Sequence, residues 1–305
     1  MNSYWRNREL KHMKSMIKDD AAIAKRIEEN YRRAMDEIQE QIDAFYGRYA
    51  SAEGISMTDA RKRVAKADIE RYERKAKRYV RQRNFSERAN EEMRLYNVTM
   101  QINRLELLKA NIWLELVALA NEEEGILLEA MMERAKAEYE RQSGILGQTI
   151  NFNEGSVKAV VTASFLGATW SDRLWDNQDA LRTELNRLLN RGIIQGTNPR
   201  VLARELRKKF GVSVYDSERL LITEMARIQT EVQKDSFKKM KFEAYEYIAE
   251  PTACKVCAAL DGKIFKLSEM EPGQNAAPMH PNCKCSTAAA MDREELEKDL
   301  RERGL

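Results

Sequence analysis

A chain of 305 residues is long enough for two domains with their own cores. One third of it is charged (33%) and the mean hydropathy is −0.64, a balance that suits long solvent-facing helices. The net charge of +3 does not mark a nucleic-acid binder, no apolar run reaches membrane-spanning length, and the N-terminus lacks the apolar core of a signal peptide, so the chain is expected to stay in a reducing cytoplasm until it is assembled into something larger.

All five prolines (Pro199, Pro251, Pro272, Pro278, Pro281) fall at or after residue 199, and the proline-free first 198 residues read as helical. The first helix is predicted over about residues 4–50. Ile23, Ile27, Tyr31, Met35, Ile38, Ile42, Phe45 and Tyr49 recur at three- and four-residue steps and form a stripe that seeks a partner helix. Gly47 and Gly54 loosen its end, and Thr58 can cap the next helix. His12 sits in polar surroundings and reads as a surface residue.

A second helix, 58–82, has a strongly basic side: Arg61, Lys62, Arg63, Lys66, Arg71, Arg74, Lys75, Lys77, Arg78, Arg81 and Arg83, against Asp68, Glu70 and Glu73. Such a density of one sign suits phosphate binding without sequence preference; the bland reading is a solvated face or one docked on an acidic protein. A third helical tract runs from near Ser86, its cap, to about Arg141, with Met93, Tyr96, Met100, Leu107, Ile112 and Leu116 as its stripe. That stripe reads as core packing, and Gly125 is the expected break.

From Ser143 to Gly167 four glycines appear around the run 157–162, which reads as a linker with a hinge or short strand. Ser171 or Asp172 is the expected cap of a helix to Asn190, anchored by Trp170 and Trp175, with Leu174, Leu181, Leu185, Leu188 and Leu189 facing the core. A helix follows from Pro199, stops at Gly211, and a further one begins at Asp216. Phe242, Tyr245, Tyr247 and Ile248 suggest a strand; 263–265 and 286–290 suggest two more. Asp292 to Arg301 reads as a closing amphipathic helix, with no room for an added domain after it.

The four cysteines lie in one window: Cys254-Lys-Val-Cys257, then Pro278-Met-His280-Pro281-Asn282-Cys283-Lys284-Cys285. A C-x2-C pair followed by H-x2-C offers four soft or borderline ligands for a tetrahedral zinc ion. Confinement to one window of a Lys/Arg/Glu-rich chain argues against disulfides. The expected ligands are Cys254, Cys257, His280 and Cys283, with Cys285 as the alternative to His280. Four protein ligands leave no open position, so the Zn2+ is expected to be structural.

These motifs carry a resemblance. C-x2-C-x2-L-D-G-K-x-F with P-x-H-P-N-C-K-C is similar to the C-terminal signature of the phage minor head proteins, the head morphogenesis family that includes the F protein of phage Mu. Upstream, W-S-D-R-x-W, G-I-I-x-G and a helix bearing Thr223-Glu224 and Arg227 resemble the body of the same family. The likeness covers roughly residues 150–290. Lys284 stands where the family usually has Arg, and Ile222 where members often have the Arg of Arg-Thr-Glu.

The resemblance implies a minor capsid protein acting in head morphogenesis. It would dock on the portal protein, lie close to packaged DNA, and meet scaffold or major capsid protein. Its location would be the host cytoplasm during assembly and then the virion, in the head interior near the portal. The alternatives are a zinc-containing, non-specific double-stranded-DNA-binding protein and a zinc-dependent nuclease or hydrolase. Two histidines, and no G-x-x-x-x-G-K, H-E-x-x-H or G-x-S-x-G, leave too few groups for catalysis, so no enzyme is expected. The fold class is mainly α: an elongated helical N-terminal arm plus a smaller α+β C-terminal domain with the zinc site. The expected domains are 1–142 (long helices), 143–250 (helical body), 251–291 (zinc lobe) and 292–305 (terminal helix).

Overall fold

The computed structural model describes residues 3–49, 66–83, 85–98, 104–146, 150–194, 197 and 199–290. The fold is mainly helical with one small sheet. The helices are α1 (Ser3–Tyr49), α2 (Lys66–Arg83), α3 (Glu87–Val98), α4 (Arg104–Leu146), α5 (Glu154–Thr162), α6 (Trp170–Ile194), α7 (Pro199–Lys239) and the short α8 (Lys255–Ala258). Strands β1 (Ala244–Ile248), β2 (Ile264–Lys266) and β3 (Ser286–Ala290) form an antiparallel sheet in the order β2-β1-β3. The two outer strands thus pair with β1 and not with each other. Gly54, Thr58, Arg61, Lys62, Arg63, Met100 and the expected terminal helix at 292–301 lie outside the described residues.

Several expected breaks are absent. Gly125 lies inside the 43-residue α4, and a methyl group there would meet nothing. A mid-helix glycine costs about 1 kcal/mol, which the buried side chains Leu119, Ala120, Leu127, Ala130 and Met131 on either side offset. Gly211 is likewise internal to the 41-residue α7. Leu202, Leu206, Phe210, Ser213, Ser217, Leu220, Leu221, Glu224 and Ile228 are all buried, so the inward face keeps its phase through the glycine. The run 157–162 is helical rather than extended. Asn153 and Ser156 form a reciprocal capping box, and Val157 and Val161, four apart, bury the same face. α6 starts at Trp170, ahead of both predicted caps. Ser171 instead donates to Glu124 at 2.5 Å, and Asp172 accepts from Arg88 at 3.2 Å.

Two compact units emerge, each assembled from non-contiguous segments, whereas the domains read from the sequence are contiguous. One comprises Lys25–Ile126 and Ser171–Ser217. Its core is Ile27, Tyr31, Ile38 and Ile42 of α1, Tyr72 and Tyr79 of α2, Trp113, Leu114 and Val117 of α4, Leu181 and Leu185 of α6, and Leu206 and Phe210 of α7. At its centre Tyr31 donates to Glu123 at 2.9 Å, pairs with Ser217 at 3.0 Å and accepts from Gln178 at 2.7 Å. Burial pushes Glu123 up to about 7, against the opposing hydrogen bonds from Ser217, Tyr31 and Gln178.

The other unit comprises Met1–Ala24, Leu127–Trp170 and Glu218–Leu305. It contains the sheet and the cysteine window. Its helices enclose a polar core in which Arg141 bridges Glu9 (2.7 Å) and Glu138 (2.7 Å). Gln229 and Gln233 on α7 donate to Glu9, and Ser286 at the start of β3 does so at 2.6 Å. Burial opposes ionisation of Glu138, but the Arg141 charge holds it at about 2. His12 is not the surface residue expected: its side chain is 27% exposed, with Nε2 3.3 Å from Glu138. This ties α1, α4, α7 and β3 together through paired, hydrogen-bonded groups, as burying charge requires.

Candidate metal centre

β1 ends at Ile248 and leads through Pro251 into Cys254, which stands at the N-cap of α8; Cys257 lies one turn on. The chain then turns at Leu260-Asp261-Gly262. Gly262 has φ +73°, a conformation glycine adopts without steric cost. Its N–H donates to the Tyr247 carbonyl at 2.9 Å, and the Tyr247 N–H donates to the Lys263 carbonyl at 2.9 Å. Asp261 Oδ1 accepts from the Ala249 N–H at 2.8 Å, and Oδ2 from Arg6 on α1 at 2.5 Å. The L-D-G-K stretch is therefore the hinge of a tight return that lays the C-x2-C turn against the sheet.

The second group of donors comes from the loop before β3. Asn282 has φ +64°, and its N–H donates to Thr223 Oγ1 on α7 at 3.1 Å. The Cys283 N–H donates to the His280 carbonyl at 3.1 Å. The Thr223-Glu224 and Arg227 pattern thus has a structural meaning. Thr223 holds the ligand loop. Buried Arg227 pairs with Glu224 at 2.6 Å and donates to the Val160 and Val161 carbonyls at 3.0 and 3.2 Å, closing the C-terminal end of α5. Ile222, where relatives often have Arg, lines a small recess together with Asp20, Arg134, Cys283, Lys284 and Cys285.

The five sequence-predicted donors fall into two overlapping groups of three. Cys254, Cys257 and His280 offer ligand atoms within 4.8 Å of one another, and so do Cys257, Cys283 and Cys285; Cys257 belongs to both groups. His280 Nε2 lies 3.2 Å from Cys254 Sγ and 3.3 Å from Cys257 Sγ, and Cys257 Sγ lies 3.9 Å from Cys283 Sγ. A tetrahedral ion with bonds of about 2.0–2.3 Å separates its ligands by roughly 3.3–3.8 Å, close to these spacings. The cluster can therefore hold a metal ion. Cys257, Cys283 and Cys285 are buried and Cys254 is exposed, and among the described residues none of the four is in a disulfide.

In the metal-free cluster the donors differ: Cys254 and Cys283 are favoured as thiolates, whereas Cys257, Cys285 and His280 are held toward their protonated forms. His280 Nδ1 lies 2.8 Å from the Pro281 carbonyl. That contact holds the proton on Nδ1 and turns a bare Nε2 toward the sulfurs, and the carbonyl raises the imidazole's pKa against partial burial. The Cys257 backbone N–H lowers the Cys254 thiol. A hydrogen bond from Cys285 brings Cys283 down to about 5, against the opposing burial, and the same donation, with burial, pushes Cys285 well up. Burial and the Cys283 charge push Cys257 up to about 11. Cys285 is thus a proton-bearing neighbour of Cys283 within the same cluster.

The basic helix is only partly free. On α2, Lys75 pairs with Glu115 at 2.6 Å, Arg83 pairs with Glu122 and stacks over Tyr79 at 4.6 Å, and Arg71 pairs with Asp68 at 3.1 Å. Arg74, Lys77, Arg78 and Arg81 are exposed and recur at three- and four-residue steps, which makes one stripe. Lys66 lies on the same helix.

Residues 183–288 match the model of the family described as Phage Mu protein F like protein. The matched segment begins in α6, contains α7 and the whole cysteine window, and ends within β3. The likeness is confined to this segment, and it is to the family that the motifs resemble. Comparisons with curated proteins and with solved structures found no match. No helix among the described residues is long and apolar enough to cross a membrane.

Proposed function

Taking residues 183–288 as a Phage Mu protein F like segment, we propose that this chain is a minor capsid protein of a phage head. The family match carries this reading, because it spans α7 and the cysteine window together. In this account the protein acts in head morphogenesis, docks on the portal protein, and meets scaffold or major capsid protein during assembly. It is made in the host cytoplasm and ends in the virion, inside the head near the portal.

The metal in this proposal is zinc, held by Cys254, Cys257, His280 and Cys283. Three thiolates and an imidazole are a donor set that zinc favours, and Cys285 is the alternative to His280. Four protein ligands close the site, so its role is to brace the loop between α7 and β3. The protein is proposed to have no enzymatic activity: His12 faces Glu138 in a polar core, and His280 is spent on the metal.

A contact with DNA has its own support in the exposed stripe Arg74, Lys77, Arg78 and Arg81. Charge without a base-reading motif suits the backbone of packaged double-stranded DNA.

The test is size-exclusion chromatography with light scattering of this protein mixed with the portal protein of the same phage at moderate salt. Co-elution with the portal ring is expected. Separate elution at micromolar concentrations would overturn direct portal docking.

A further inference from the structure

Tyr247, the last residue but one of β1, is fully buried in one hydrophobic cluster with Cys257, Cys283 and Cys285. Its backbone is fixed on both sides. It is paired with Thr287 across β1–β3, its N–H donates to Lys263, and its carbonyl accepts from Gly262. Its phenol is therefore aimed by the sheet. The hydroxyl is buried and, among the described residues, makes no hydrogen bond of ordinary geometry. A buried hydroxyl without a partner is a rare and unfavourable arrangement, and a tyrosine here needs a reason that phenylalanine would not supply.

The cluster packs this ring against Cys257, Cys283 and Cys285. Burial raises the phenol well above its ordinary range, and the neighbouring sulfurs add to that. A thiol sulfur is a poor acceptor, but a metal-bound thiolate is a good one. Hydrogen bonds from outside the coordination sphere orient metal ligands and tune affinity. Cys257 is the donor shared by both ligand groups and is deeply buried, so its charge has little solvent to stabilise it.

We propose that Tyr247 is a positioning residue for the metal centre, its hydroxyl donating to the metal-bound thiolate of Cys257. This rests on the metal reading above. It makes the sheet, and not only the two ligand loops, part of the site. No atom changes hands: the phenol keeps its proton, and the thiolate gains a donor in place of water.

The test compares the full chain with Tyr247→Phe, which removes one oxygen and keeps the ring. Zinc affinity is measured by competition with a chromophoric chelator. Cobalt(II) replaces zinc for the sulfur-to-metal charge-transfer band. Thermal unfolding is followed in chelator. The expected result is a 10- to 100-fold loss of zinc affinity and a shifted cobalt band, with unfolding in chelator unchanged or at a higher temperature. Equal affinity and an unchanged band would overturn the inference. So would a variant that is destabilised even in chelator, which would mark a packing role. If the unsubstituted chain binds no zinc, the metal reading itself fails, and that outcome is distinct from a failure confined to Tyr247→Phe.

Discussion

Thr223 Oγ1 accepts the backbone N–H of Asn282 at 3.1 Å and donates to the Arg219 carbonyl at 2.6 Å. One hydroxyl thereby joins α7 to the loop that carries His280 and Cys283. Asn282 is held at φ +64°, so the loop depends on a residue that tolerates the left-handed region and on a partner for its N–H. Thr223→Val keeps the shape and removes both bonds. It is expected to cost about 1–2 kcal/mol in chemical denaturation and to weaken metal binding, while Thr223→Ser retains both. Isothermal titration with zinc after chelator treatment checks the second effect.

Arg227 offers a larger effect. Its guanidinium is 2% exposed, pairs with Glu224, and donates to the Val160 and Val161 carbonyls. Arg227→Met leaves the buried Glu224 without that partner and the end of α5 without that donor. A loss of roughly 3–5 kcal/mol is expected, read from urea unfolding. A loss below 1 kcal/mol would contradict the role assigned to the pair.

The order of the donors along the chain was legible because cysteine spacing reflects coordination geometry directly, and so were the helix stripes of α1 and α6. The continuity of α4 and α7 was not. Gly125 and Gly211 look like stops in sequence, yet the burial on either side of each keeps its phase, and Ser213 and Ser217 hide that phase because they are small polar residues on a buried face. The helix at 154–162 was masked by its valines, which favour strands until the Asn153–Ser156 box is recognised. The sequence pattern marks Tyr247 as a strand residue only. Its position among three cysteines depends on the return at Gly262, which brings together residues distant in sequence.

Stability should fall between about pH 5 and pH 7 through Glu123. Burial raises its folded pKa to about 7, above the unfolded value near 4.3, so the folded state holds the proton more tightly. The associated stability is complete below the unfolded value and is lost as pH rises through the folded one, by an amount on the order of 3 kcal/mol. Glu123→Gln should flatten this difference between urea unfolding at pH 5 and pH 8. Other groups titrate equally in both proteins, so the change in slope isolates Glu123.

The exposed stripe on α2 predicts salt-sensitive DNA binding. Replacing Arg74, Lys77, Arg78 and Arg81 with Gln removes four exposed charges and leaves the Lys75–Glu115 and Arg83–Glu122 pairs intact. The slope of log affinity against log salt should shrink by up to about 3–4, measured by fluorescence anisotropy with a duplex. An unchanged slope would assign these charges to a protein partner or to solvent.

The most direct measurement is native mass spectrometry of the full chain, with metal content by elemental analysis. One zinc per chain is predicted, retained through desalting, lost on treatment with a strong chelator, and absent in Cys257→Ser, because Cys257 belongs to both ligand groups. A chain that carries no zinc, or a Cys257→Ser variant that keeps a full equivalent, would contradict the account.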